Sequence, residues 1–456
     1  MTKLLKSKWH LILFAIIFLC LILFFMEHYI DKFLEDNTFP VEKNITSIIT
    51  PVEDFEKEQK QKFSKFNALY DNYIKKHNKA LENLMKLEQS SIYNSERLPK
   101  VVVVQPDMKA GFGNKFPGIV CGFLYSIITD RLFFIEEYEN FEDHFEKDFE
   151  HNWKKIAHLY NKSSIKRLHN IWENEFSLIT RGNLNSEEVN SYDILHVKTW
   201  DYACVPIMSN PNHKKQINDI IPEYKIFTVI SQKLLRLKSD INKRVETFIN
   251  NNFGEYNIGI HVRMNKFFQI PRTKGMITPI KHFCQVVEML LIGIEKKNVT
   301  IFIATDTNQS RKTLIECIHN SLNSYNKGFV KIVYVNNNMN IHDSINHNPG
   351  TEISALIDMK ILSFCDDLVL TFGSTFGYVA AGWSYRSLRR LRGPFVVMPM
   401  RKTTEDFAVD KIWLWQSGSN DPCMYLGKWL MKNSDRKTVE VFKTNPFWMH
   451  YVQGCP

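Results

Sequence analysis

The stretch from Ser354 to Trp383 most constrains the fold class, because its apolar period changes twice in quick succession. Ala355, Leu356, Met359, Ile361 and Leu362 recur at helical spacing, which predicts an amphipathic helix. Asp366 and Asp367 mark a turn, and Leu368–Thr371 reads as a short buried strand. Gly373-Ser374-Thr375-Phe376-Gly377 then predicts a tight turn into a second helix, Tyr378 to Trp383. Helix, strand, turn and helix in this order point to an α/β fold. Where the strand meets the second helix, unsatisfied N–H groups and the helix dipole favour an anion, with the Ser374 and Thr375 hydroxyls beside them. A buried strand capped by Ser-Thr also occurs in any α/β protein, so the pattern alone supports both readings.

A chain of 456 residues, 44% of them hydrophobic, can bury one large core or two medium ones, and two lobes are the expectation. Its formal net charge of +9 suits an anionic small substrate and equally a solvated basic surface. Clustered basic-aromatic segments, zinc spacings and nucleic-acid motifs are absent from the sequence, so no nucleic acid is expected as a partner.

In the first lobe Val101–Val104 reads as a buried strand, Gly111-Phe112-Gly113-Asn114-Lys115 as a glycine turn, Phe116 to Thr129 as an apolar helix, and Arg131–Ile135 as a second parallel strand. This is a βαβ unit. A glycine turn at a strand's carboxyl end lets another molecule approach the backbone, which makes Gly113 and Asn114 candidate binding residues. Residues 136 to about 190 are acidic, aromatic and irregular, without a motif. Lys233 to Phe248 predicts a helix crossing between lobes.

The second lobe opens with Tyr256–Arg263, a strand that ends on an arginine two residues after His261. A guanidinium fork clamps two phosphate oxygens and stabilises charge growing on a leaving group. Pairing with a surface carboxylate is the plain alternative. Asn298–Ala304 is another buried strand, followed by Asp306, which is placed either to meet a nucleotide or to cap a helix from Gln309 to Asn320. Lys331–Val335 predicts a further strand. The chain has no Asp-x-Asp triplet, the usual device for holding a divalent ion on a diphosphate, so no metal and no cofactor are expected.

The run Met359-x-x-Leu362-Ser363-x-x-Asp366-x-Leu368-Val369, followed by Ser374-Thr375-Phe376-Gly377-Tyr378-Val379-Ala380, resembles the signature of the plant-type xyloglucan α-1,2-fucosyltransferase family. So do the turn around Gly113 and Asn114 with Gly122–Tyr125 and Thr129-Asp130-Arg131, and the segment Val197-Lys198-x-x-Asp201-Tyr202-x-x-Val205-Pro206. Lys115 stands where the family carries arginine, and His261 where its plant members usually carry glutamine. The resemblance implies a GT-B-like fold with two Rossmann-like lobes: an acceptor lobe at 59–255, a donor lobe at 256–400 and a C-terminal extension at 401–456. It implies fucose transfer from GDP-fucose, as co-substrate, to a galactose-type hydroxyl of a glycan, inverting and metal-free. His261, Arg263, Asp306, Ser374, Thr375, Phe376, Gly377, Gly113 and Asn114 would then hold the donor, with Arg263 also acting in catalysis. Asp107, just before the glycine turn, is the candidate base, with a water relay as the alternative. Two rivals are a GT-B transferase for another nucleotide sugar and a membrane-tethered glycan-binding protein with a decayed site.

At the N-terminus, Lys3, Lys6 and Lys8 precede the apolar run 9–26, and Glu27, Asp31, Glu35 and Asp36 follow it. Basic before and acidic after predicts an uncleaved type II anchor in the lipid bilayer, with residues 1–8 cytoplasmic and the rest lumenal, in the Golgi. Residues 27–58 read as a stem with a sequon at Asn44, and further sequons lie at Asn161, Asn298 and Asn308. From Phe63 the apolar positions step through Phe66, Tyr70, Tyr73 and His77, which predicts a helix docked on the catalytic domain rather than a coiled coil. Of eight cysteines, seven follow the apolar run, so one is unpaired or bridges two copies, and a homo-oligomer stays open. Cys121 and Cys365 are expected as buried thiols, and Cys204, Cys284 and Cys317 are unassigned. The tail around Asp421-Pro422-Cys423 resembles the family's, and Cys423–Cys455 is the expected bridge.

Overall fold

The computed structural model describes residues 52–89, 98–106, 110–136, 140–161, 163–169, 173–198, 201–264, 276–277, 280–292, 294, 298–325, 330–336, 349–384, 393–397, 400–401, 414–417, 419–424 and 427–444. The apolar run 9–26, Asn44, Asp107 and Cys455 lie outside them. Among the described residues no helix is long and apolar enough to cross a membrane.

Strands that are apolar at every position belong in parallel sheets covered on both faces, and that is where these strands lie. In the first lobe α1 (Val52–Lys62) and α2 (Ser64–Gln89) precede β1 (Val101–Gln105), α3 (Phe112–Ile128), β2 (Leu132–Ile135) and α4 (Phe141–His144). Then come β3 (Ile165–His169), α5 (Glu173–Arg181), β4 (Ile194–Lys198), α6 (Cys204–Ser209), α7 (Ile226–Leu234) and α8 (Ser239–Asn252). The sheet order is β2-β1-β4-β3, all parallel. The segment expected to be irregular therefore supplies the edge strand β3. Its polar sequence, Ile165-Lys166-Arg167-Leu168-His169, suits an edge and hides it from an apolar-run reading.

The second lobe is built from β5 (Tyr256–Val262), β6 (Met276–Ile277), α9 (Ile280–Ile292), β7 (Val299–Thr305), α10 (Asn308–Tyr325), β8 (Val330–Val333), α11 (Pro349–Ser363), β9 (Asp367–Thr371), α12 (Thr375–Gly382), β10 (Phe395–Val397), β11 (Met400–Arg401) and β12 (Leu414–Gln416). Its six-stranded sheet runs β12-β10-β9-β5-β7-β8, with only β12 antiparallel. A lobe boundary at residue 400 is thus too early, since β12 pairs with β10. After β12 the chain returns to the first lobe. On α14 (Arg436–Lys443), which follows α13 (Gly427–Asn433), Phe442 stacks edge-on against Phe176, and Arg181 Nε donates to Thr438 Oγ1 at 2.9 Å. Asp421, buried, accepts from the Tyr202 hydroxyl at 3.1 Å and the Thr228 hydroxyl at 3.1 Å.

Two helices differ from expectation. The single helix read over 233–248 is two, α7 and α8, broken around Leu235. The stem boundary at 58 falls inside α1, and the compact unit begins at Val52. The docked helix α2 buries Phe66, Tyr70, Tyr73, His77, Leu81 and Leu84. Its Tyr73 hydroxyl donates to the Arg131 carbonyl at 3.1 Å, and Tyr70 donates to Asp148 at 2.9 Å. Cys121 is not a thiol: it is bonded to Cys204, tying α3 to α6, and Cys284 is bonded to Cys317, tying α9 to α10. Cys365 is the buried thiol expected, and Cys423 is disulfide-bonded.

Candidate active site

β5 lies in the middle of the second sheet, between β9 and β7, and Arg263 is the first residue beyond its carboxyl end. One side chain on β9 secures this end. The Thr371 hydroxyl donates to the His261 carbonyl at 2.9 Å and accepts from the Arg263 N–H at 2.9 Å. From β7's end Asp306 turns the same way: Oδ1 accepts from the Met264 N–H at 3.0 Å, and Oδ2 stands 3.5 Å from Arg263 Nε. The capping alternative for Asp306 falls to its neighbour, because Thr307 Oγ1 accepts from the Ser310 N–H at 3.1 Å at the start of α10. Asp306 is 3% exposed and Arg263 28%, so the carboxylate is sealed behind a partly open arginine.

Beside Arg263, β9 turns through Gly373 (φ 68°), a left-handed conformation that favours glycine, into α12. Ser374 occupies the N-cap position, and its side chain makes no capping hydrogen bond. Phe376, in the first turn, stacks on the His261 ring with centroids 4.9 Å apart and planes inclined by 22°. Burial and the neighbouring Arg263 charge push the His261 pKa down to about 3. The imidazole is therefore neutral, and His261 forms a wall under Phe376 rather than a cation for a phosphate.

The first lobe meets this corner through α3. Gly111 to Lys115, expected as a turn, forms the helix's start: α3 begins at Phe112, and the Asn114 N–H donates to the Gly111 carbonyl at 3.0 Å. Gly113 abuts α12 so closely that a Cβ there would lie 2.6 Å from the Phe376 nitrogen and the Thr375 carbonyl carbon. Two helix N-termini, one from each lobe, thus converge on one place. Next to Gly113, the Asn114 Oδ1 is buried without a hydrogen-bond partner. The lobes are also joined where the Asn140 amide donates to Glu352 Oε2 at 2.8 Å, with His144 Nε2 at 3.8 Å from the same oxygen.

His261, Arg263, Asp306, Ser374, Thr375, Phe376, Gly377, Gly113 and Asn114 are thereby gathered at the facing carboxyl edges of the two sheets, where open α/β folds bind ligands. Asp107 lies outside the described residues. One buried carboxylate outside this group escaped the sequence reading. Asp358 on α11 is buried, its Oδ1 has no hydrogen-bond partner, and burial pushes its pKa up to about 7 against the opposing pull of Arg311. Arg311, in the first turn of α10, lies 4.7 Å from the centroid of the Tyr334 ring, just past β8. The signal was a lone carboxylate inside the apolar run Leu356 to Leu362. Among the described residues, the one group with metal-ligand spacing is Glu142, Glu150 and His151 on the first lobe, and both carboxylates there are bridged by Lys147 at 2.8 and 2.9 Å.

A cationic fork backed by a carboxylate, beside a helix N-terminus, is suited to hold a diphosphate and to stabilise charge that grows on it. The chain is similar to a mutant of FUT1 from Arabidopsis thaliana in complex with GDP, at a TM-score of 0.58 and 18% identity, covering 78% of this chain and 84% of that one. It aligns less fully with NodZ α-1,6-fucosyltransferase soaked with GDP-fucose (TM-score 0.40, 15% identity, 70% of this chain and 99% of that one). The corresponding figures for POFUT1 in complex with GDP-fucose are 0.33, 14%, 62% and 94%. No family model and no curated protein sequence matches the chain. The fold is GT-B-like, of the fucosyltransferase type, in accord with the plant-family resemblance of the motifs. At such identity the likeness establishes fold, and function has to be argued from the site.

Proposed function

We propose that the chain is a GDP-fucose-dependent fucosyltransferase that delivers fucose to a galactose-type hydroxyl of a glycan, in α-1,2 linkage and with inversion. The observation that carries this reading is Arg263, held by Thr371 and Asp306 at the carboxyl end of β5 beside the α12 N-terminus, in a fold shared with a GDP-bound plant FUT1. The acceptor oxygen attacks C1 of fucose as the bond from C1 to the diphosphate oxygen breaks, and the hydroxyl proton leaves to a base. Negative charge passes to GDP. There the guanidinium and the backbone N–H groups of α12 receive it, doing what a metal ion does in other transferases. The disulfides Cys121–Cys204 and Cys284–Cys317 support a lumenal catalytic domain behind the predicted anchor, because such bonds persist in oxidising compartments.

The test is a melting-point panel with GDP, UDP and CMP on the full-length chain, followed by transfer from GDP-fucose in excess EDTA. A ligand that binds only the folded state raises the melting point by mass action. GDP alone should do so, and turnover should survive the chelator. A shift with UDP alone would favour another nucleotide sugar, and no shift with any would favour a glycan-binding protein.

A further inference from the structure

At the carboxyl edge of the first sheet lies a polar group that none of the above uses. His196 on β4 holds Glu136, the residue after β2, with Nε2 2.8 Å from Oε2. In register His196 stands opposite Val103, and Lys198 opposite Gln105. Glu136 reaches the other side of β1, where its N–H donates to the Val104 carbonyl at 2.8 Å. Glu136 and Lys198 therefore flank the last residue of β1, and His196 spans the strand. Deeper in the sheet the same face is an apolar layer of Val101, Val103, Leu132, Phe134 and Ile194. It turns polar only at the edge that faces the donor lobe, for four residues past Glu136 the Asn140 side chain bonds to Glu352 of α11.

We propose that Glu136, His196 and Lys198 form the subsite that takes the galactose-type end of the acceptor. The inference rests on the fucosyltransferase reading and extends it to the other substrate. A sugar end presents neighbouring hydroxyls that each donate and accept. Glu136 is the acceptor for such donors: its hydrogen bond from His196 and the nearby Lys198 charge hold its carboxyl below the usual range, so it stays ionised. Lys198 supplies donors, and the imidazole fixes the Glu136 carboxylate in place. Glu136 and Lys198 carry opposite charges, a balance that suits a neutral, hydroxyl-rich ligand. The side chains are 17% and 27% exposed at His196 and Glu136, open enough for hydrogen bonding from outside and fixed enough to orient what binds. These are positioning residues, and the role is acceptor binding rather than proton transfer.

The test uses the full-length chain in detergent, wild type beside Glu136→Gln and His196→Asn, with methyl β-galactoside and lactose as acceptors. Both variants should raise the acceptor KM about 10- to 100-fold. The GDP-fucose KM, the melting point and the shift produced by GDP should all stay at wild-type values. An unchanged acceptor KM, an equal rise in both KM values, or a wild-type chain that binds GDP but uses neither galactoside would overturn the subsite. A wild-type chain without any GDP shift would instead overturn the reading beneath it.

Discussion

Arg263 Nε and Asp306 Oδ2 lie 3.5 Å apart, on the ends of neighbouring parallel strands, with the carboxylate sealed and the guanidinium partly open. A buried carboxylate that aims an arginine leaves the rest of the fork for a ligand. Asp306→Ala removes that aim and leaves the Met264 N–H without its acceptor. The expected result is a fall in kcat/KM for GDP-fucose of roughly tenfold or more, about 1.4 kcal/mol or above in the transition state. Steady-state kinetics on the folded variant, with acceptor KM as the control, measures it.

Gly113 tests the meeting of the two helix starts. A methyl group 2.6 Å from the backbone of Thr375 and Phe376 cannot be relieved by moving the Thr375 hydroxyl alone, so the lobes must shift. Gly113→Ala should lower kcat by about 10²-fold, because small displacements of reacting groups are that costly. The same substitution at exposed Gly111, where a Cβ meets nothing within 4 Å, should leave kcat within about twofold.

Asp358 predicts a pH dependence of opposite sign to that of a salt-bridged carboxylate. Its folded pKa, near 7, lies above its ordinary 3.8, so between those values the unfolded chain loses the proton while the folded chain keeps it. This group's contribution to stability therefore falls as pH rises through that window, by on the order of 4 kcal/mol at most. Asp358→Asn should flatten the fall, gaining melting temperature over wild type between pH 5 and pH 8 on the order of several degrees. Thermal melts of both chains across that range measure the difference.

The start of the compact unit is a matter of α1. Gln59 and Phe63 are buried, and Lys62 pairs with Glu223 at 2.6 Å, so the helix belongs to the catalytic domain. A secreted chain starting at Val52 should melt higher than one starting at Ser64. Loss of the buried Phe63 alone accounts for roughly 3 kcal/mol. Equal melting points would return α1 to the stem.

What the sequence disclosed, it disclosed through period and punctuation. Val101–Val104, Val299–Thr305 and Leu368–Leu370 were legible because parallel strands covered on both faces must be apolar throughout. Arg263 was legible as a charge at the end of such a run. β3 was hidden because edge strands are polar, and the start of α3 because glycines read as a turn where a close interlobe contact requires them. The Cys121–Cys204 pairing was out of reach, since spacing does not encode which thiols meet. Asp358 and the His196–Glu136 pair stayed invisible because their meaning lies in partners, or the lack of them, far along the chain.

Arg263 stands at the centre of the site, and its substitution is the most direct test. Arg263→Ala removes a charge-assisted contact that strengthens as GDP departs, which typically costs ~2–4 kcal/mol, a rate loss of roughly 30- to 1000-fold. Arg263→Lys keeps a point charge without the fork and should restore little of it. The deciding quantities are turnover and GDP affinity per folded molecule, with the melting point as control. Both should fall in a variant that melts close to the wild type. Full turnover and GDP binding in a stably folded Arg263→Ala chain would contradict it.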